Sequence, residues 1–180
     1  MNRYVRFLST FLAFAVMGLL SLQPAMAATG HVLDQDAEAA LSALYSNHAG
    51  AKALGEKASG ILVFPSITKA GFIVGAQGGD GVLFEKGKRT GYYNSGAVSV
   101  GLQAGVQTYG YALFFMSPAD LAYLKKSSGW SLGVGPSIVV ADAGFGKDTS
   151  TTTLKSGVYA FIFDQKGLMA GMGVVGQKIT

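Results

Sequence analysis

The stretch from residue 60 to residue 84 constrains the fold of this chain more than any other segment. Three apolar runs within it, at residues 61–64, 72–74 and 82–84, are separated by Pro65 and by a cluster of glycines. Short apolar runs bounded by proline and glycine are typical of β-strands joined by tight turns. The segment therefore predicts a packed sheet, and it carries no row of catalytic side chains.

The first 27 residues have the pattern of a secretory signal peptide. Arg3 and Arg6 precede an apolar run over residues 7–22, and Ala25-Met26-Ala27 supplies the small-x-small site that signal peptidase reads. A membrane anchor is the alternative, but the run is short for a span of about 20 residues. We therefore expect residues 1–27 to be removed and residues 28–180 to form one domain of an exported protein, periplasmic or secreted and peripheral to the membrane.

Composition argues against several functional classes. Without Arg3 and Arg6, twelve basic side chains face ten acidic ones, which is too little positive charge for a nucleic acid partner. The chain has no cysteine, which excludes disulfides, thiol catalysis and the acylated cysteine of a lipoprotein. Because only 13% of the residues are charged, about half the usual share, we expect a fold held together by apolar packing.

The sequence predicts an α+β fold, in which two or three helices pack on a mostly antiparallel, glycine-rich, twisted sheet of six or more strands. Apolar spacings of three and four over residues 33–48 predict a helix that opens with Asp34, Asp36 and Glu38, and a short helix over residues 51–58 follows. Ser117 and Pro118 predict the start of a third helix. Further strands are expected at residues 98–108, 109–116, 130–141, 149–154, 158–164 and 168–175.

Motifs that would indicate an enzyme or a metal site lack the context they need. Ser66 and Lys69 have the spacing of a penicillin-recognising serine and lysine, but no long helix follows them. Residues 171–176 match a nucleotide-binding motif without its helix. His31 and His48 have no partner at metal-ligand spacing. We expect no catalytic residue, metal or cofactor, while scattered aspartates leave an enzyme acting on lipid or cell-wall substrate as an alternative.

A basic and aromatic surface is the remaining candidate for function. Lys86, Lys88 and Arg89 lie on a polar turn directly before Tyr92 and Tyr93. Such cations suit the phosphate groups of phospholipids, and such rings suit the depth of the membrane interface. The pattern predicts a surface that binds lipid headgroups.

Two further groups of residues bear on this surface. Lys125 and Lys126 close the third helix, where they would extend the surface or complement the helix dipole. Six aromatic residues are predicted to be core, although an acyl-chain pocket would use the same side chains: Phe114, Phe115, Phe145, Tyr159, Phe161 and Phe163. A small outer-membrane β-barrel or an envelope structural protein stays open as a different class of function.

Four segments resemble the SYLF domain family, in particular its exported bacterial branch. They are residues 60–84, 91–94, 101–107 and 158–171. The most specific phrases are Leu-Val-Phe-Pro-Ser-Ile-Thr-Lys-Ala-Gly-Phe over residues 62–72 and Lys-Gly-Leu-Met-Ala-Gly over residues 166–171. The resemblance implies phospholipid binding. Eukaryotic relatives prefer phosphoinositides and also bind actin, which an exported bacterial protein would not meet in its own cell.

The chain departs from those eukaryotic relatives after the glycine turn. They usually have a tryptophan and a proline where this chain has Tyr92, Tyr93, Asn94 and Ser95. Their preference for phosphoinositides is therefore not carried over, and the expected partner is an anionic glycerophospholipid or a membrane surface. The predicted binding residues are Lys86, Lys88, Arg89, Tyr92, Tyr93, Lys125 and Lys126.

Overall fold

The computed structural model describes residues 24–126, 130–131, 138–141 and 157–180. By its internal contacts the chain divides into two units, Met1–Val32 and Leu33–Thr180, and the sheet and its core belong to the second. Residues 1–23 of the predicted leader and the predicted strand at residues 149–154 lie outside the described residues. The described elements are helices α1 (Pro24–Asn47), α2 (Ala49–Gly55) and α3 (Pro118–Lys126) and strands β1 (Gly60–Glu85), β2 (Lys88–Phe115), β3 (Trp130–Ser131), β4 (Ile138–Ala141) and β5 (Val158–Ile179).

The predicted α+β fold with a mostly antiparallel sheet is confirmed. Strands β1, β2, β5 and β3 are neighbours in that order and antiparallel, while β4 pairs with β5 in parallel. The predicted division of residues 60–84 into three strands is wrong, because β1 runs through all of them. Pro65 lies at a register shift between Phe64 and Ile67, and β1 is an edge strand, where a missing N–H is tolerated.

Strand β1 bends back on itself near Ile73, which has a φ of 65°. A Cβ built on Gly81 would lie 2.6 Å from the Phe64 ring, and one built on Gly79 would collide with the Ser66 carbonyl oxygen. The two halves of β1 are therefore in direct contact, and glycine permits this approach because it has no side chain. We name the bend, with its neighbouring residues on β2 and β5, the apex (residues 68–78, 96–108 and 166–178).

The end of the sheet opposite the apex is buried on both faces, because successive residues of a strand point to opposite sides. Ile61 and Val63 belong to a cluster that α1 and α2 cover, and Leu62 and Phe64 belong to a second cluster with Trp130. Five of the six predicted aromatic core residues are buried: Phe114, Phe115, Tyr159, Phe161 and Phe163. The sixth, Phe145, lies outside the described residues.

The helices correct one part of the prediction. Helix α1 begins at Pro24 and has no acidic residue in its first turn, so Asp34, Asp36 and Glu38 lie inside it and do not open it. Helix α2 lies slightly earlier than predicted. The start of α3 is confirmed, since Ser117 Oγ accepts a hydrogen bond from the Asp120 N–H at 3.1 Å. In the part of the chain that is described, no helix is long and apolar enough to cross a membrane.

Candidate lipid-binding surface

The turn between β1 and β2 carries the first two predicted cations. Glu85 pairs with Lys88 in the ladder, which leaves Lys86 and Gly87 as a two-residue loop with φ angles of 51° and 73°. Two successive positive φ angles are the requirement of a type I′ hairpin turn, whose twist matches that of the strands. The side chains of Lys86 and Lys88 are both exposed. The turn therefore presents two lysines to solvent.

Arg89 is held by helix α1. Its Nε lies 3.2 Å from Asp34 Oδ2, and its Nη1 donates to the Tyr92 hydroxyl at 2.8 Å. The guanidinium carbon lies 5.0 Å from the centroid of the Tyr92 ring, and the Tyr92 hydroxyl donates to Asp34 Oδ2 at 3.2 Å. The guanidinium of Arg89 and the hydroxyl of Tyr92 are therefore both bound to the carboxylate of Asp34.

Tyr93 and Lys125 lie on the other face of the sheet. Tyr93 alternates with Tyr92 along β2 and is half-buried beside the second core cluster, and this burial raises the pKa of its phenol. Lys125 Nζ lies 2.7 Å from Glu85 Oε1, and Thr90 Oγ1 donates to the same oxygen at 2.5 Å. These two hydrogen bonds hold the pKa of Glu85 below its ordinary value. The charge of Lys125 is therefore compensated.

The structure thus divides the seven predicted residues. Lys86, Lys88 and Lys126 are exposed and have no salt bridge among the described residues, whereas Arg89 and Lys125 each have one. Tyr92 and Tyr93 point to opposite faces and do not form one aromatic surface. That any of the seven binds lipid stays a prediction.

Two carboxylates that neutralise part of this surface, Asp34 and Glu85, are not among the site residues predicted from the sequence. Asp34 lies 58 positions from Tyr92, so only the fold shows that they meet. A neutralising role for Glu85 could have been predicted, because this carboxylate directly precedes Lys86 in the sequence.

Two cavities flank the turn, and Lys86 lines both. The larger, of about 540 Å³, lies between α1, the end of α2 and β1, and its wall includes Tyr45, Glu38 and Glu56. Burial raises the pKa of Tyr45 to about 12. The smaller, of about 380 Å³, lies between the turn and α3 and includes Lys125. The two glutamates of the larger cavity would repel a phosphate, so the wall of this cavity does not favour an anion.

Neither cavity is lined by the predicted aromatic core residues, so their walls do not form the acyl pocket considered above. Among the described residues, no group of three or more histidine, aspartate or glutamate side chains is placed to hold a metal ion.

Residues 96–180 match the Ysc84 family model, which is described as a Las17-binding protein actin regulator. This is a match to the SYLF domain family. The match confirms the resemblance and includes the second of the two motif phrases, at residues 166–171. No curated protein matches the chain in a sequence comparison. SYLF domains are in general non-enzymatic binding domains, and the family supports a lipid- or actin-related binding role.

The SYLF match also divides the candidate surface. It contains Lys125 and Lys126 on α3, while Lys86, Lys88 and Arg89 precede it. The family match therefore does not extend to the β1–β2 turn, and any role of the turn has to be argued from its own geometry.

Proposed function

We propose that this protein is an exported, non-enzymatic binder of anionic phospholipid that engages headgroups at a membrane surface through Lys86, Lys88 and Lys126. The SYLF match supports a lipid- or actin-related role in general. The observation that carries the finer proposal is the exposed pair Lys86 and Lys88, which have no carboxylate within salt-bridge distance among the described residues. Because Arg89 and Lys125 are already neutralised, the three lysines supply the free positive charge of this surface.

A membrane suits this arrangement better than a single small anion. The lysines lie on an exposed turn and at a helix end, and their side chains are long and flexible. Each lysine near an anionic membrane contributes about 1 kcal/mol. Lys86 and Lys88 together therefore contribute about 2 kcal/mol, or about thirtyfold in the partition coefficient. Salt should weaken the binding, because it screens exposed charges.

Flotation with phosphatidylglycerol vesicles tests the proposal. We expect the protein to float with these vesicles at low salt, to float less at high salt and to stay unbound with phosphatidylcholine vesicles. The double variant K86A/K88A should lose about thirtyfold in partitioning. The matched control K52A/K57A removes the same charge from exposed positions on and just beyond α2 and should lose much less. No flotation of the wild type at low salt would refute lipid binding, and equal losses in both variants would refute the site.

Export is a separate part of the proposal and rests on the leader pattern of residues 1–27. Cell fractionation followed by N-terminal sequencing should find a chain that starts at Ala28 outside the cytoplasm. Carbonate extraction should release it from membranes. Recovery of a chain that still starts at Met1 in the cytoplasm would contradict export.

A further inference from the structure

The outer side of the apex is an exposed apolar surface built from three strands. Leu168 is 89% exposed and Phe72 is 75% exposed, and four valines are each more than half exposed: Val74, Val98, Val100 and Val106. The strand register pairs these residues across neighbouring strands. Val106 pairs with Leu168, Val74 with Val100, Val98 with Ala76, and Phe72 with Ala104. Scattered exposed apolar residues are ordinary, but a contiguous group marks a contact surface.

The inner side of the apex has the opposite character. Gly75 and Ser99 are buried with the small side chain of Ala97, and Gln77, which pairs with Ala97, is only partly exposed. A sheet that faces water normally places its apolar residues inside and its polar residues outside. The apex reverses this arrangement, so its outer side has the polarity expected of a surface in contact with an apolar medium.

Two lysines on β5 border the apolar rows. Lys166 lies in the row of Thr68 and Thr108, next to the row of Leu168, and Lys178 lies in the row of Gly96, next to the row of Val98. Both lysines are exposed. Because β1 folds back near Ile73, these two rows form the two sides of the base of the apex. The tip is therefore apolar and its base is basic, which complements hydrocarbon beneath a layer of anionic headgroups.

We propose that the apex inserts into the hydrocarbon layer of an anionic phospholipid bilayer, with Lys166 and Lys178 at the depth of the phosphate groups. A protein partner is the less fitting occupant, because the outer rows consist of valine, alanine, leucine and phenylalanine. Among the side chains of the apex that the structure describes, its outer rows present none of the tyrosine, tryptophan and arginine anchors typical of specific protein interfaces. Fluid hydrocarbon needs no such directional groups.

The proposal rests on the proposed function for its lipid class, but it uses a different surface. Twelve residues of β1 separate Phe72 from Phe84, which corresponds to at most about 40 Å of strand. Both ends of β1 lie together at the larger cavity, since Gly60, Ile61 and Phe84 all line it. The apex and the basic turn are therefore at opposite ends of the folded strand, and one flat bilayer cannot contact both.

Depth-dependent fluorescence quenching tests insertion, and the absence of cysteine allows clean single-site labelling. Leu168→Cys carries an environment-sensitive dye at the tip, and Lys52→Cys on α2 is the matched control. With vesicles of phosphatidylglycerol and phosphatidylcholine, we expect a blue shift and quenching by nitroxides on the acyl chains for the dye at residue 168 only. The triple variant F72S/V74S/L168S changes exposed side chains only; introduced into K86A/K88A, it should keep the circular dichroism of that protein and lose about tenfold or more of the vesicle binding that remains.

The outcomes separate this proposal from the proposed function. Flotation of the protein without quenching at residue 168 would overturn insertion and leave headgroup binding intact. Quenching that survives K86A/K88A supports the apex as a surface of its own. A blue shift without vesicles, together with a mass that grows with concentration, would assign the apex to a second copy of the chain and overturn the proposal. No flotation of any variant would overturn both.

Discussion

The substitution Gly81→Ala tests the bend of β1, on which the positions of both the turn and the apex depend. The new Cβ would lie 2.6 Å and 2.7 Å from two ring carbons of Phe64 and 2.9 Å from the Val63 carbonyl oxygen. Phe64 is fully buried, and its ring stacks on Tyr111 with centroids 6.1 Å apart. Neither the ring nor the backbone can move without disturbing the core around them.

The expected cost follows from two opposing effects. Overpacking a core by one methyl group typically costs about 1–3 kcal/mol. Replacing glycine by alanine restricts the unfolded chain and returns about 0.4–1 kcal/mol. We therefore expect a net loss of about 1–2 kcal/mol in the free energy of unfolding. For a domain of this size, that loss lowers Tm by about 2–8 °C.

The assay is denaturant and thermal unfolding followed by circular dichroism, with Gly96→Ala as the matched control. Gly96 also lies in the ladder, but its new Cβ would come no closer than 4.0 Å to any side chain, that of Asn94. The control should be unchanged or slightly stabilised. If Gly81→Ala proves as stable as Gly96→Ala, the two halves of β1 do not touch as described and the bend is refuted.

Three further substitutions test other parts of the account. Asp34→Asn should release Arg89 and raise binding to phosphatidylglycerol vesicles about fivefold in flotation, whereas unchanged binding would show that Arg89 does not reach the membrane. Phe161→Ala should lower the free energy of unfolding by about 3–5 kcal/mol, because its buried ring packs edge-on against Phe114, and a loss below 1 kcal/mol would contradict that packing. Tyr45→Phe tests the phenol whose pKa burial raises to about 12. Because the folded pKa of Tyr45 exceeds the unfolded value of about 10, the stability that the neutral phenol contributes is present below about pH 10 and is lost as the pH rises towards 12. In denaturant unfolding, the variant should therefore lose less stability than the wild type between about pH 10 and pH 12. Equal losses would argue against a buried phenol.

Much of the fold could be predicted from the sequence, because the apolar runs indicated strands and Ser117 indicated the start of α3. The continuity of β1 through residues 60–85 could not be predicted. Glycine favours tight turns, but it also permits two backbones to approach closely, and Gly79 and Gly81 serve the second purpose within one continuous strand. The start of α1 was missed because the acidic residues inside it imitate the first turn of a helix.

The candidate site could be predicted only as a set of cations. Sequence proximity grouped Arg89 with Lys86 and Lys88, but Asp34 neutralises Arg89 through a contact that only the fold creates. The strand that contains Val98 and Val100 was also predicted from the sequence. Periodicity does not show which face of a strand is covered, however, so the exposed side of the apex emerged only from the structure.

The most direct test of anionic lipid binding is the vesicle partition coefficient at low salt as a function of the mole fraction of phosphatidylglycerol. We predict a steep rise for the wild type and a shallower rise for K86A/K88A, with the two curves converging on pure phosphatidylcholine. Curves that coincide at every composition would contradict the claim that the lysines of the β1–β2 turn bind the anionic headgroups of the membrane.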